Sequence, residues 1–565
     1  MKLLTQAKCI HKQRKIIANP DRKLLAKFGV VLGGMVSAIA SAIPACGAER
    51  ISFYYAPFGQ FDLPVNSLET FAKKGKIDSD FAYYAKFANS EELASLRDLL
   101  QRRFDVTPTL VSQFTYSPVG ETVMKRLGND FQTGARQNGF YALRSAFILA
   151  AADSDGLTLV NVLRKFPSHT IWFNLPRVRG IVSSLSGILK QRDSLIAAIQ
   201  QDAIAEASQT PIDFSQRSDL RKGGSFTSWQ KETLNLNDQS RNRQLLVDFY
   251  LPQPKNGDVN PTPVPVIVIS HGIASDRQSF AYLAEHLASY GFAVAAIEHP
   301  DTNAKKYQDY FSGLASPPSA MAAIDRPLDV KFLLDELQRL SQSDSRFRGR
   351  LNLDQVGAIG QSLGGYTVLA LAGAAINFQQ VHKDCNPNNS LNLSLLIQCR
   401  VDELAPKDYL LKDDRIKAVI AMNPLDSTVF GQSGLEQIKI PVMLVSGSDD
   451  IFAPAVPEQI RPFSWLMASD KYLVLMDKAT HFSLLKTDSG RRVLPVPPEF
   501  IGPNPAIAQS YAKALSVAFF ETHIANQPDY RFYLSASYAK SISQSPINLE
   551  LVRSFASTNA LLNKK

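Results

Sequence analysis

The stretch VGAIGQSLGGYTVLAL, residues 356–371, sets Ser362 between Gly360 and Gly364. One apolar run precedes the serine and another follows it, so the pattern reads as strand, sharp turn, helix. A join that tight brings the positions two residues either side of the serine against neighbouring backbone, where glycine fits and a Cβ does not. Such a turn presents a serine hydroxyl for nucleophilic attack. A hydroxyl is a weak nucleophile at neutral pH, so the chemistry also needs a base to take its proton and an acid to orient that base.

In sheets that carry such a turn the acid and then the histidine follow the serine in chain order. The chain has eight histidines, and three follow Ser362: His382, His481 and His523. His382 lies in a polar insertion, and His523 sits within the apolar helical pattern SVAFFETHI. His481, in KATHFSLL, directly follows the strand-like KYLVLMDKA and is the expected base. The acid should also end a strand, and IPVMLVSGSDDIFAP offers Asp449 and Asp450, with Asp426 in MNPLDST as a third candidate. A negative charge developing on a carbonyl oxygen needs two N–H donors. The backbone of Leu363, just after the serine, supplies one, and Ile273 in VISHGIASDRQSF the other, with His271-Gly272 shaping that loop. His169 stands alone in its region and reads as structural. EHPDTN, residues 298–303, is a candidate pocket wall. No H-E-x-x-H and no Cys/His cluster is present, so neither a metal nor a cofactor is expected.

These residues need a scaffold that brings strand ends together. From about residue 211 the chain alternates apolar, β-branched runs with helical periodicity. RQLLVDFYLP, VPVIVIS, FAVAAIEH, DQVGAIG, IKAVIAMNP, IPVMLVSG and KYLVLMDKA read as strands. QSFAYLAEHLASYG, RPLDVKFLLDELQRL, LGGYTVLALAGAA and AIAQSYAKALSVAFFETHI read as helices. That rhythm predicts an α/β fold, a mostly parallel sheet with helices on both faces and a ligand site at the carboxyl ends of its strands. Residues 211–565 form this domain, interrupted by an insertion near 382–412. Residues 49–210 show three- and four-residue apolar spacing, with Asn66, Ser90 and Asp155 expected as N-caps. They predict an all-α accessory domain that ends in a helix over about 180–207.

The 565 residues carry a net charge of +9, but residues 1–48 hold eight Lys/Arg against one acid. The basicity belongs to the leader, so no nucleic-acid partner is expected. The basic stretch, the apolar FGVVLGGMVSAIASAIPA and the small-residue exit ACGAER read as an export signal cleaved after Ala48. The alternatives are an uncleaved membrane anchor and lipidation at Cys46. Export to the periplasm or beyond would suit a disulfide between Cys385 and Cys399, the two cysteines outside the leader.

Residues 240–525 resemble the α/β-hydrolase superfamily, in particular its platelet-activating-factor acetylhydrolase and dienelactone-hydrolase-like branch. SHGIASDRQSFAYLAEHLASYGFAVAAIEHPD and GQSLGG carry the likeness. Many members read G-x-x-D with a proline four residues on. Here Gly447, Asp450 and Pro454 fit that spacing, so the resemblance selects Asp450. ISFYYAPFGQFDLPVNSLETFAKKGKI and GFYALRSAFILAAADSDGLTLVNVLRKFP are similar to the helical domain that precedes such hydrolases in cyanobacterial exported proteins. The resemblance implies a serine hydrolase of lipid-like or short-chain esters, with membrane-surface association as a further expectation. The same residues would serve an amidase or peptidase, and a binding or scaffold protein on this fold is the alternative of another class.

Overall fold

The computed structural model describes residues 47–565 apart from 210, 254–261, 386–390, 487–497 and 563–565. The expected export signal, up to Cys46, lies outside the described residues, as do five residues of the insertion. No helix among the described residues is long and apolar enough to cross a membrane.

The larger sheet runs β5 (Trp229–Asp238), β6 (Arg243–Pro252), β7 (Val264–Ser270), β8 (Ala293–Glu298), β9 (Leu351–Gln361), β10 (Ile416–Met422), β11 (Val442–Gly447), β12 (Lys471–Met476) and β13 (Leu549–Val552) along the chain. Their order across the sheet is β13-β12-β11-β10-β9-β7-β8-β6-β5. The six strands from β12 to β8 are parallel, and β5, β6 and β13 are antiparallel additions at the two edges. This is the α/β arrangement the sequence rhythm predicts. The central strands are apolar along their whole length because helices cover both faces, and two clusters of buried side chains fill those layers. From β7 the chain moves one way to β8 and then back across to β9, so the order reverses between β7 and β9. Ligands in open α/β sheets bind at such a reversal, beyond the carboxyl ends of the strands. Register places Ser270 of β7 opposite Gly360 of β9, and Met422 of β10 opposite Gln361.

The N-terminal region departs from the all-α expectation. It has its own core, including Phe71, Phe81, Met124, Leu143 and Ile171, and seven helices between Val65 and Lys165. It also holds a four-stranded sheet made of β1 (Arg50–Tyr55), β2 (Gly59–Pro64), β3 (Phe131–Gln132) and β4 (Thr170–Phe173), in the order β2-β1-β4-β3. β1 and β2 form a local hairpin, Arg50 opposite Pro64 and Tyr55 opposite Gly59, while the pairing of Arg50 with Thr170 brings in β4 from more than a hundred residues downstream, beyond the reach of local periodicity. The helix N-caps sit nearby rather than on the expected residues. Asn89 makes a capping box with Glu92, and the Thr158 hydroxyl accepts from Asn161 N–H.

The boundary at 210 is also displaced. One helix, Leu175–Gln209, leaves the N-terminal region, and its later half buries Leu195, Ile196, Ile199 and Ala203 in the core of the large sheet. Asp202 on that helix accepts from the backbone N–H groups of Ala556, Ser557 and Thr558, capping the last helix of the chain. Described residues 47–565 form one compact unit.

Candidate functional site

Ser362 sits at the carboxyl end of β9 with φ 58° and ψ −119°, a backbone conformation that favours glycine. The two flanking glycines make that turn sterically feasible. A Cβ on Gly360 would lie 1.9 Å from the Gly364 carbonyl oxygen, and a Cβ on Gly364 would lie 2.0 Å from the Ser270 carbonyl oxygen. Ser362 N–H donates to the Met422 carbonyl, and the helix Leu363–Leu371 starts immediately after it.

The loops after the neighbouring strands supply the partners. His481 follows β12, and its Nδ1 lies 2.6 Å from Asp450 Oδ2 in the loop after β11. Both groups are almost fully buried. Asp450 is held on every side: its Oδ1 accepts from Phe452 N–H and Ala453 N–H, both at 2.8 Å, and its Oδ2 also accepts from Asn423 Nδ2 at 2.7 Å. That set of donors fixes the carboxyl group, which orients the imidazole with its Nδ1–H toward the acid and leaves Nε2 as the free ring nitrogen. Phe452 and Phe482 pack against the ring, with centroids 5.6 and 5.4 Å away. Gln361, the residue before the serine, donates from Nε2 to the His481 carbonyl, which ties the serine turn to the histidine loop.

The other candidates fall elsewhere. Asp449 points outward, half exposed, and pairs with Arg192 at 3.2 Å. Asp426 is fully buried and makes no hydrogen bond through its carboxyl oxygens, to a histidine or to any other group. Burial and the neighbouring Glu458 charge push its pKa well above the carboxylate range. His382 is exposed beside Asp402, and His523 hydrogen-bonds Tyr472. His169 pairs with Glu49 in the N-terminal region. His271 is buried, and its ring bonds to the Gly272 carbonyl and to His299 N–H, so it shapes the loop before Ile273.

Ile273 and Leu363 both line a small cleft that opens to solvent. Its walls include Tyr307, residues 318–320, Ala322 and Ala323, together with Ile397, Arg400 and Val401 of the insertion. Thr302 from the 298–303 stretch lines it as well. The insertion is anchored twice. A Cys385–Cys399 disulfide closes it, and the buried Glu458 carboxylate accepts from Ser394 Oγ at 2.6 Å and Gln398 Nε2 at 2.9 Å. Among the described residues no group of three or more His, Cys, Asp or Glu side chains could hold a metal ion.

Asn423, Gln361 and Glu458 escaped the sequence reading. Asn423 carries one usable signal, since it directly follows a strand in the same way as the acid and the histidine do. Its φ of 45° is that of a tight turn.

A family model described as platelet-activating factor acetylhydrolase, isoform II, matches residues 231–314, which contain most of β5, all of β6 to β8 and the Ile273 loop. The relationship is to the α/β-hydrolase superfamily. A second model, described as an α/β-hydrolase of unknown function (DUF1400), matches residues 47–174, the N-terminal region with its small sheet. Cutinase est1 of Thermobifida alba is 30% identical over 146 residues, covering 25% of this chain and 43% of the cutinase. The chain thus spans less than half the length of that relative.

Proposed function

We propose that this α/β-hydrolase is a serine ester hydrolase that works through an acyl-enzyme. The observation that carries the reading is the His481–Asp450 hydrogen bond of 2.6 Å beside the strained Ser362 turn, with Ile273 and Leu363 lining the adjoining cleft. His481 Nε2 takes the Ser362 Oγ proton as Oγ attacks the ester carbonyl carbon. The backbone N–H groups of Ile273 and Leu363 hold the oxyanion. Collapse breaks the bond to the alkoxy oxygen, which leaves with the proton from His481. Water, deprotonated by the same imidazole, then releases the acid and restores Ser362.

The mainly apolar cleft favours short-chain acyl or lipid-like esters. The match to the acetylhydrolase model and the likeness to a protein named as a cutinase support an ester rather than an amide. Export to the periplasm or beyond completes the reading, on the strength of the leader and the two cysteines. The test is hydrolysis of p-nitrophenyl acetate, butyrate and palmitate by the full chain and by Ser362→Ala, with fluorophosphonate labelling of both. Turnover and labelling that vanish together in the variant are the expected result. Folded wild-type protein that neither labels nor turns over these esters would overturn it, and preferential cleavage of the matching anilides would move the activity to amides.

A further inference from the structure

A guanidinium lies buried beneath the two candidate oxyanion donors. Arg326, on the helix Ala322–Ser343, is 1% exposed, and its hydrogen-bond partners among the described residues are all neutral oxygens. Nη2 donates to the His271 carbonyl and to Ser270 Oγ, Nη1 to Thr302 Oγ1 at 2.5 Å, and Nε to Thr367 Oγ1 at 3.1 Å. Thr367 Oγ1 in turn donates to the Leu363 carbonyl at 2.8 Å. The nearby Asp329 is occupied by Arg243, bidentate at 2.7 and 2.9 Å, and by His299 Nδ1 at 3.0 Å. Holding a charge out of water without a carboxylate against it is expensive, and a scaffold that needed only hydrogen bonds would be served by a neutral donor.

We propose that Arg326 is a positioning residue for the oxyanion site. It fixes the carbonyl two residues before the Ile273 N–H and, through Thr367, the carbonyl of Leu363 itself, while setting positive charge behind both donors. This rests on the ester-hydrolase reading. The charge is matched when the substrate carbonyl becomes an oxyanion, so Arg326 acts on the transition state more than on the bound ester.

The test compares full-length wild type with Arg326→Gln, Arg326→Lys and Thr367→Val, measuring kcat and KM on p-nitrophenyl butyrate and the rate of fluorophosphonate labelling. Arg326→Gln should lower kcat about 10- to 100-fold with KM held within about twofold, and the charge-keeping Arg326→Lys should recover part of that loss. Thr367→Val, near-isosteric and leaving the guanidinium in place, should lower kcat about three- to tenfold, and it decides the matter if the Arg326 variants do not fold. Active wild type with unchanged kcat in Thr367→Val and in any folded Arg326→Gln would overturn the proposal alone. A rise in KM at constant kcat would also overturn it. Wild type without turnover or labelling would overturn the ester-hydrolase reading and this inference with it.

Discussion

Asp450→Asn should abolish turnover while leaving the fold nearly as stable as before, and the hydrogen bonds around Asp450 say why. An asparagine can place its amide nitrogen at either carboxylate oxygen position. At Oδ1 the nitrogen would face Phe452 N–H and Ala453 N–H, backbone donors that cannot turn away. At about 1–3 kcal/mol for each orphaned donor, that orientation costs about 2–6 kcal/mol. At Oδ2 it would face Asn423 Nδ2 and His481 Nδ1 instead. Asn423 can flip its amide and His481 can move its proton to Nε2, so the second orientation wins. Stability then falls by no more than about 1.5 kcal/mol, the size of one net hydrogen bond. The imidazole, however, now presents N–H to Ser362 and cannot accept its proton. An inverted tautomer of this kind lowers kcat about 10⁴-fold in the serine-protease triad, equivalent to about 5.4 kcal/mol of transition-state stabilisation. The assay is p-nitrophenyl butyrate hydrolysis beside urea unfolding, with Asp449→Asn as the control. Asp449 is half exposed and its carboxylate takes only a surface ion pair with Arg192 and a 3.4 Å hydrogen bond from Ser448 Oγ, so its variant should stay within about twofold of wild type. A loss below tenfold in Asp450→Asn, or an equal loss in Asp449→Asn, would refute the assignment.

Three further outcomes are expected. Replacing Cys385 and Cys399 by serine removes a cross-link between residues 14 apart, and loop-closure entropy puts the loss near 3 kcal/mol, read as a lower urea midpoint. Asp426 has a folded pKa above its unfolded one, so its contribution to stability is full below about pH 4 and is lost as pH rises through the folded value. Asp426→Asn should therefore flatten the decline in unfolding free energy above pH 4 while leaving kcat unchanged, and an unaltered slope would contradict this account. Ala323 lines the cleft, so Ala323→Leu should shift preference from butyrate toward acetate by roughly tenfold in kcat/KM, the worth of one or two methylenes in a filled pocket.

The parts of the site visible in the sequence were those marked by strand ends. Ser362, Asp450 and His481 each follow an apolar run, and β9, β11 and β12 lie in one parallel sheet whose carboxyl ends share an edge. What could not be read were groups whose meaning depends on a distant partner. Asn423 and Gln361 are ordinary polar residues until the fold sets them against Asp450 and the His481 carbonyl. Arg326 opens the helical pattern RPLDVKFLLDELQRL, and nothing in that pattern marks it as buried until the fold sets it against His271 and Thr367. The N-terminal sheet was missed in part for the same reason, because three of the pairs that Arg50–Tyr55 makes are with the distant Thr170–Phe173 and six with the adjacent Gly59–Pro64. The edge strands β5 and β13 were overlooked too. The polar faces of Trp229–Asp238 and the brevity of Leu549–Val552 blur the continuous apolar signal of a buried strand.

The 2.0 Å that separates a hypothetical Gly364 Cβ from the Ser270 oxygen has a consequence for how such a chain can diversify. Nucleophile turn and donor loop touch backbone to backbone, so no side chain lies between them to be exchanged. On the proposed function, the Ser362 hydroxyl and the Ile273 donor loop therefore move as one piece. Variation in what the chain cleaves must come from the rim, from residues 318–323 and the cystine-bound insertion, where walls can be rebuilt without disturbing that piece. The architecture separates a backbone-locked turn from a rim built of exchangeable side chains.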